Sequence, residues 1–550
     1  MNKKILGIFV CITLLTTATL TIATNVIEKK TASRGWLEKQ KLIPSDGSGN
    51  DRFGSAVDIA TYNAIIGAYF DDSGSITNCG SAYIFTYDGS SWSQQAKLTA
   101  SDADDDDEFG ISVSIDGHYA IVGAHYDDAN GAQSGAAYIF HRSGVTWSQQ
   151  AKITPSDAAA GDQFGRSVSM DVTADGDYVI VGAPGKNSDQ GFSYIFKRSD
   201  TSWIQQTKIG ATNSKKLGYS VSICMPYVLM GAYGTNSNTG AAHIYELIGS
   251  SWYGKGALTA SDGVSYDLFG SSVAINHDYA ICGSPGHDLT YGGEGAAYIF
   301  EKPTSGWTTM TETQKITASD IASSDGFGKS VSVDGDHVIV TSPDDDDGGL
   351  ASGSAYIFKR GATSWNEMAK LTASDAAAQD YLGWSASINA VDTQTYNAIV
   401  GAYADDNTNG VDAGSAYVFN WSNQAPNAPT INGPVSGKPG KSYNYKFKST
   451  DPDGDQVYYY VKWGDGSNTG WFGPYASGVE QTKSHTWSSK GTYLIEAKAK
   501  DTYGAESGWQ TLSVKIPKNK AMTIPLIKLL ENHINLLPII IRNIIQRLGL

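Results

Sequence analysis

A chain of 550 residues exceeds what one ordinary hydrophobic core can organise, and 41% hydrophobic with 11% aromatic residues suits packed sheets rather than disorder. A net charge of −16 excludes nucleic acid as a partner, because that binding rests on Lys and Arg neutralising phosphates.

Residues 1–23 read as an export signal. Lys3 and Lys4 precede an apolar stretch from Ile5 to Ile22, and Thr21-Ile22-Ala23 offers small residues for cleavage after Ala23. The stretch also approaches the length of a membrane span, so a retained anchor is the other reading. Both place the remainder outside the membrane. Residues 24–35 form a short connection. Cys79, Cys224 and Cys282 fall in different parts of the chain and suggest no disulfide framework.

From residue 36 onward the sequence repeats. Phe53-Gly54, Phe109-Gly110, Phe164-Gly165, Leu217-Gly218, Phe269-Gly270, Phe327-Gly328 and Leu382-Gly383 recur 52 to 58 residues apart. A second landmark follows each: Gly67-Ala68, Gly123-Ala124, Gly182-Ala183, Gly231-Ala232, Gly283-Ser284, Thr341-Ser342 and Gly401-Ala402. A third is Ala82-Tyr83-Ile84-Phe85 and its counterparts. In the copy at 109–153, four short apolar or alternating runs lie between Gly, Asp, Asn and Ser, the pattern of strands joined by tight turns. One such sheet alone leaves both faces bare, and stacking copies covers them.

Residues 36–43 match a fourth strand without its first three, while the last copy ends after three strands near Trp421. The two fragments complement each other and predict a ring closed by the N-terminal strand. These landmarks resemble FG-GAP repeats, the units of the integrin α-chain propeller and of many prokaryotic surface proteins. The resemblance covers residues 36–421 and implies an all-β fold with a seven-bladed β-propeller of four-stranded antiparallel blades.

Strand order places the loops after strands two and four at one end of such a disc. The loop after strand four repeats as Ser-Asp-x4-Asp-x-Phe/Leu-Gly, and the loop after strand two supplies Asp71, Asp72, Asp127, Asp128, Asp344, Asp345, Asp405 and Asp406. An acidic rim is predicted, either as a partner-binding or cation-binding surface or as turn-capping carboxylates that keep the chain soluble. Integrin-like repeats carry a calcium cage between their first two strands. Here only the third copy is long enough, with Asp171, Thr173, Asp175 and Asp177, and it has Val179 where the last Asp should stand. No nucleophile elbow and no HExxH is present, so no enzyme is expected. His118, His277 and His337 recur near hairpin tips and are expected to be exposed.

The polar, Pro-rich stretch 422–434 reads as a linker. Residues 435–516 alternate again, and Tyr460-Val461-Lys462-Trp463-Gly464-Asp465-Gly466 with Gly491-Thr492-Tyr493 resembles a PKD-type immunoglobulin-like β-sandwich. Asp451, Asp453 and Asp455 place three carboxylates at alternate positions, the donor type Ca²⁺ takes, or else form a plain acidic turn. The tail 517–550 is basic, and Ile541, Ile544, Ile545 and Leu548 form a helical stripe beside Arg542 and Arg547. An amphipathic helix at an envelope or membrane surface, a sorting signal, or a helix packed on the sandwich are its readings.

Taken together, these features imply an exported surface protein that recognises an extracellular protein or glycan through one propeller face, with Ca²⁺ as the assisting ion. A self-associating envelope component and a polysaccharide-directed exoenzyme are the competing classes.

Overall fold

The computed structural model describes residues 35–174, 176–290, 292–391, 395–517 and Arg547. The signal at 1–23, most of the connection at 24–35, and the tail apart from residue 517 and Arg547 lie outside the described residues; so does Asp175. The described residues fall into two compact units, Gly35–Ser422 and the part from Asn423 onward. Among them no helix is long and apolar enough to cross a membrane.

The first unit is a run of mainly antiparallel sheets, most made of strands consecutive in the chain; Met310–Thr311 adds in parallel to the edge strand Ser251–Thr259 of the preceding sheet. The first contains Phe53–Ala60, Asn63–Ala68, Ser81–Tyr87 and Trp92–Leu98, and the second Ser112–Asp116, Tyr119–Ala124, Ala136–Ser143 and Thr146–Ile153. Further sheets begin with Ser167–Thr173, Ser220–Cys224, Ser272–Ile275 and Val331–Asp334. A last sheet joins Leu382–Ala390, Thr395–Ala402 and Ser415–Ser422, and its fourth strand is Leu37–Leu42, paired antiparallel with Ser415–Ser422.

The landmarks of the sequence are the contacts between these strands. The Phe of each Phe-Gly is buried edge-on against the Tyr and Phe of the third strand. Phe109, for example, stands 5.4 Å from Tyr138 and 6.0 Å from Phe140. Full burial of such a ring stabilises by about 1.5–3 kcal/mol. Each hydrophobic cluster draws on two successive sheets, so no sheet has a core of its own; the cluster around Phe53 combines first-sheet residues with Leu42, Ile399 and Val418.

The glycines set how closely the sheets approach. A Cβ on Gly123 would lie 2.0 Å from the carbonyl oxygen of Gly165, and one on Gly182 only 1.8 Å from that of Gly218. The same carbonyls accept the hydroxyls of Ser112 and Ser167, both at 2.8 Å. Between the last and first sheets the contact repeats: Ser385 donates to Gly54 O at 2.9 Å, and a Cβ on Gly401 would lie 1.9 Å from that oxygen. Thr341 departs from the glycine rule, and there Ser330 accepts from the Ala386 N–H instead.

The second unit packs a three-stranded sheet (Thr430–Asn432, Ser442–Lys448, Gln481–Thr486) against a four-stranded one (Asn468–Tyr475, Val457–Lys462, Gly491–Asp501, Gln510–Ile516) around Tyr445, Trp463 and Trp487. The stretch expected to be a linker belongs partly to this module. Thr430–Asn432 pairs with 446–448, and Asn427 bonds to Thr450; the prolines around this edge strand disguise it as a loop.

Candidate functional site

The eight rim carboxylates do not form one exposed acidic surface. Asp71, Asp127, Asp345 and Asp405 are buried, each against a lysine of a fourth strand and a tyrosine of a third. Around Asp127, Lys152 Nζ lies 2.6 Å and the Tyr138 hydroxyl 2.7 Å away, and both also reach Asp102, at 2.8 and 2.9 Å. Lys97 with Asp46 and Asp71, Lys370 with Asp320 and Asp345, and Lys41 with Asp375 and Asp405 repeat the set. The N-terminal strand thus supplies the lysine for the last sheet. The exposed Asp72, Asp128 and Asp406 accept the backbone N–H groups of Asn78, Gln133 and Asp412. Asp344 is exposed, near Lys329.

Burial opposes the charge on Lys97 and Lys152, but their bonds to paired aspartates prevail and hold both pKa values above normal. The lysine before the Leu or Ile that closes most fourth strands was the signal for these networks in the sequence. It is missed when aspartates are counted without asking what neutralises them.

The second Asp of each Ser-Asp-x4-Asp loop is buried and accepts the N–H three residues earlier, as Asp107 does from Asp104 at 2.9 Å. Burial pushes Asp51, Asp107, Asp325 and Asp380 each up to about 6. A folded-state pKa above the unfolded value means the native chain binds more protons between pH 4 and 6, so stability falls as pH rises through that window. The melting temperature is therefore expected to be higher at pH 5 than at pH 7. Asp107→Asn, which keeps the loop bond, should reduce that difference in a calorimetric pH series, and the same change at Asp51, Asp325 and Asp380 together with it should reduce it further.

Among its described residues, the third-copy loop does not gather its carboxylates. Ser167–Thr173 and Gly176–Ala183 are paired up to Thr173 opposite Gly176, which turns the carboxylates apart. Asp171 accepts the Met225 N–H of the next sheet at 2.6 Å, Asp177 pairs with Arg198, and the Thr173 hydroxyl bonds to Gly176 O. His337 is fully buried against Tyr396, not exposed, because its hairpin tip is covered by the following sheet. His118 and His277 are exposed.

Among the described residues, two groups of three carboxylates converge to within 4.8 Å: Asp320, Asp345 and Asp347, and Asp451, Asp453 and Asp455. The first encloses Lys370 Nζ, 2.5–2.9 Å from all three, so an ammonium already occupies it. Asp451 Oδ1 accepts the N–H groups of Asp453 and Asp455, while its Oδ2 is buried without a hydrogen-bond partner. Burial holds the Asp451 carboxyl above its usual range. An inward-facing buried oxygen beside two further carboxylates suits a hard cation such as Ca²⁺.

At the end of the first unit where the first strands begin lies a cavity of about 430 Å³ lined by Arg166, Tyr219, Tyr233, Lys329 and Trp384. Arg166, Tyr219, Lys329 and Trp384 are the residues directly after Phe-Gly or Leu-Gly in their copies.

The FG-GAP repeat profile matches residues 36–85, 92–140, 147–196, 252–300, 310–358 and 365–419, more than half of the chain. The chain belongs to the FG-GAP repeat family. Residues 197–251 of this FG-GAP protein lie outside the matched stretches. They hold much of the fourth sheet, where His243 replaces the network tyrosine and, just beyond, Ala257 replaces the lysine. A PKD domain matches residues 423–516. Among solved structures, the chain is similar to the PKD domain of an M14-like peptidase from a Thermoplasmatales archaeon, with 54% identity over 18% of this chain and 100% of that one and a TM-score of 0.18. It is also similar to the PKD domain of the human VPS10 domain-containing receptor SorCS2, with 16% identity over 18% of this chain and 80% of that one and a TM-score of 0.14. No curated protein matches the FG-GAP protein.

Proposed function

We propose that this FG-GAP protein is an exported binding protein of the cell surface. Its repeat unit is a closed seven-bladed propeller whose face at the Phe-Gly ends recognises an extracellular protein or glycan. FG-GAP repeats and PKD domains are typical of adhesion or surface proteins, and the basic segment at 1–23 supplies an export route. Ring closure is supported by the pairing of Leu37–Leu42 with Ser415–Ser422 and by the Ser385–Gly54 bond. The Asp451, Asp453 and Asp455 cluster takes one Ca²⁺ and stiffens the PKD module. The tail with Ile541, Arg542, Ile544, Ile545, Arg547 and Leu548 holds the chain at an envelope surface.

The observation that carries the recognition role is the cavity of this face, lined in part by the position after Phe-Gly or Leu-Gly, which changes chemistry from copy to copy: Ser55, Ile111, Arg166, Tyr219, Ser271, Lys329 and Trp384. A position that packing does not fix is free to serve a ligand. The test is to probe arrays of extracellular glycans and proteins with the full chain, with and without Ca²⁺. Saturable capture of at least one member is expected; silence on both arrays would contradict the proposal.

A further inference from the structure

The centre of the Phe-Gly face differs in charge and chemistry from the rim around it. The Arg166 guanidinium lies 4.6 Å over the Tyr219 ring and donates to its hydroxyl at 3.0 Å, and Tyr233 stands edge-on to Tyr219 at 4.6 Å. Lys329 Nζ lies 3.9 Å over the Trp384 ring, which packs on Tyr403 at 4.4 Å. Among the described residues neither cation forms an ion pair; Glu108 acts on Arg166, and Asp344 on Lys329, only through space. Lys97, Lys152 and Lys370, by contrast, each hold two or more aspartates.

Three further facts bear on what could fill the cavity. Burial pushes Glu108 up to about 7, so near neutral pH it carries only part of a charge against Arg166. Burial lowers the Lys329 pKa, a sign that its ammonium lacks full hydration. Ser271 lines the cavity, but its Oγ is shut off from water and so lies beyond a ligand's reach, which leaves the two cations as the polar groups at its centre. An under-solvated cation gains more from an anion than an exposed one does.

We propose that this cavity binds a sugar bearing a single carboxylate, with Arg166 and Lys329 taking the acid and Trp384 and Tyr233 flanking the ring. A volume of about 430 Å³ suits one or two sugar rings. The exposed aspartates of the surrounding rim repel polyanions, so the ligand is the acidic end of a neutral glycan and not a polyuronate. The proposal rests on the reading of this face as a recognition surface.

The test is calorimetric titration of the full chain with 3′-sialyllactose and with cellobiouronic acid, against their neutral counterparts lactose and cellobiose and against acetate. At least one acidic disaccharide or trisaccharide is expected to bind at one site per chain, at least tenfold more tightly than its neutral counterpart and than acetate. Arg166→Gln and Lys329→Met should each weaken it about tenfold or more without moving the melting temperature by more than a few degrees, and Trp384→Leu should weaken acidic and neutral sugars alike. Equal binding of neutral and acidic sugars, acetate competing as well as the sugar, or binding unchanged in the Arg166 and Lys329 variants would overturn the proposal. So would no binding of either acid. If the arrays nevertheless capture another partner, the recognition role stands and the acidic-sugar assignment falls; silence on the arrays as well removes both.

Discussion

Deleting residues 36–43 is expected to cost the repeat unit its cooperative unfolding transition. The strand Leu37–Leu42 contributes buried Leu42, the Lys41 ion pairs with Asp375 and Asp405, and every backbone bond on the outer side of Ser415–Ser422. Losing a buried leucine costs about 2–5 kcal/mol, and leaving a buried carboxylate such as Asp405 without its lysine costs a further ~3 kcal/mol or more. Against the total of about 5–15 kcal/mol that ordinary domains possess, this is enough to open the last sheet. The bare edge of Ser415–Ser422 would then invite aggregation. Reattaching the same eight residues after residue 422, through a short Gly-Ser bridge, should restore the transition in calorimetry, because the strand would reach its partner from the other terminus. A deletion variant that unfolds as sharply and at the same temperature as the parent would show that the repeat unit does not depend on this strand.

Gly182→Val is the second substitution with a large expected effect. The new Cβ would meet Gly218 O at 1.8 Å, a backbone atom that cannot swing aside and that already accepts the Ser167 hydroxyl. Separating the two sheets there forfeits that bond and the packing around it, a loss of about 3–5 kcal/mol. Gly144→Val, at a position where a Cβ meets nothing within 4 Å, is the comparison; its positive φ of 62° makes it strained but not clashing. The denaturation midpoint of Gly182→Val should fall well below that of Gly144→Val. Equal midpoints would mean that the glycines are not what sets the spacing of the sheets.

Much of the fold was legible because its signals are local and repeated. Phe-Gly, Gly-Ala and Ala-Tyr-Ile-Phe mark three strands of each sheet, and the fragment at 36–43 shows that one copy is split. The strand Asn468–Tyr475 was not legible, since Gly470, Gly473 and Pro474 read as turn residues although they sit at bulges of a paired strand. The rim misled for a different reason. Sequence counts carboxylates but does not say that the lysine preceding Leu98 or Ile153 folds back across the sheet to meet two of them. The residues after Phe-Gly were legible as letters and not as a site, because only the folded repeat unit brings Arg166, Lys329 and Trp384 to one cavity from copies more than fifty residues apart.

The central proposal is that the carboxylates of the repeats hold the sheets together and that metal binds at Asp451, Asp453 and Asp455. Calcium titration of the full chelator-treated chain, followed by calorimetry, tests it most directly. One saturable site per chain is expected, absent in Asp451→Asn, with a matching rise in the melting temperature of the PKD module alone. More than one site, or a site that survives Asp451→Asn, would mean that the repeat loops bind metal after all and contradict the account.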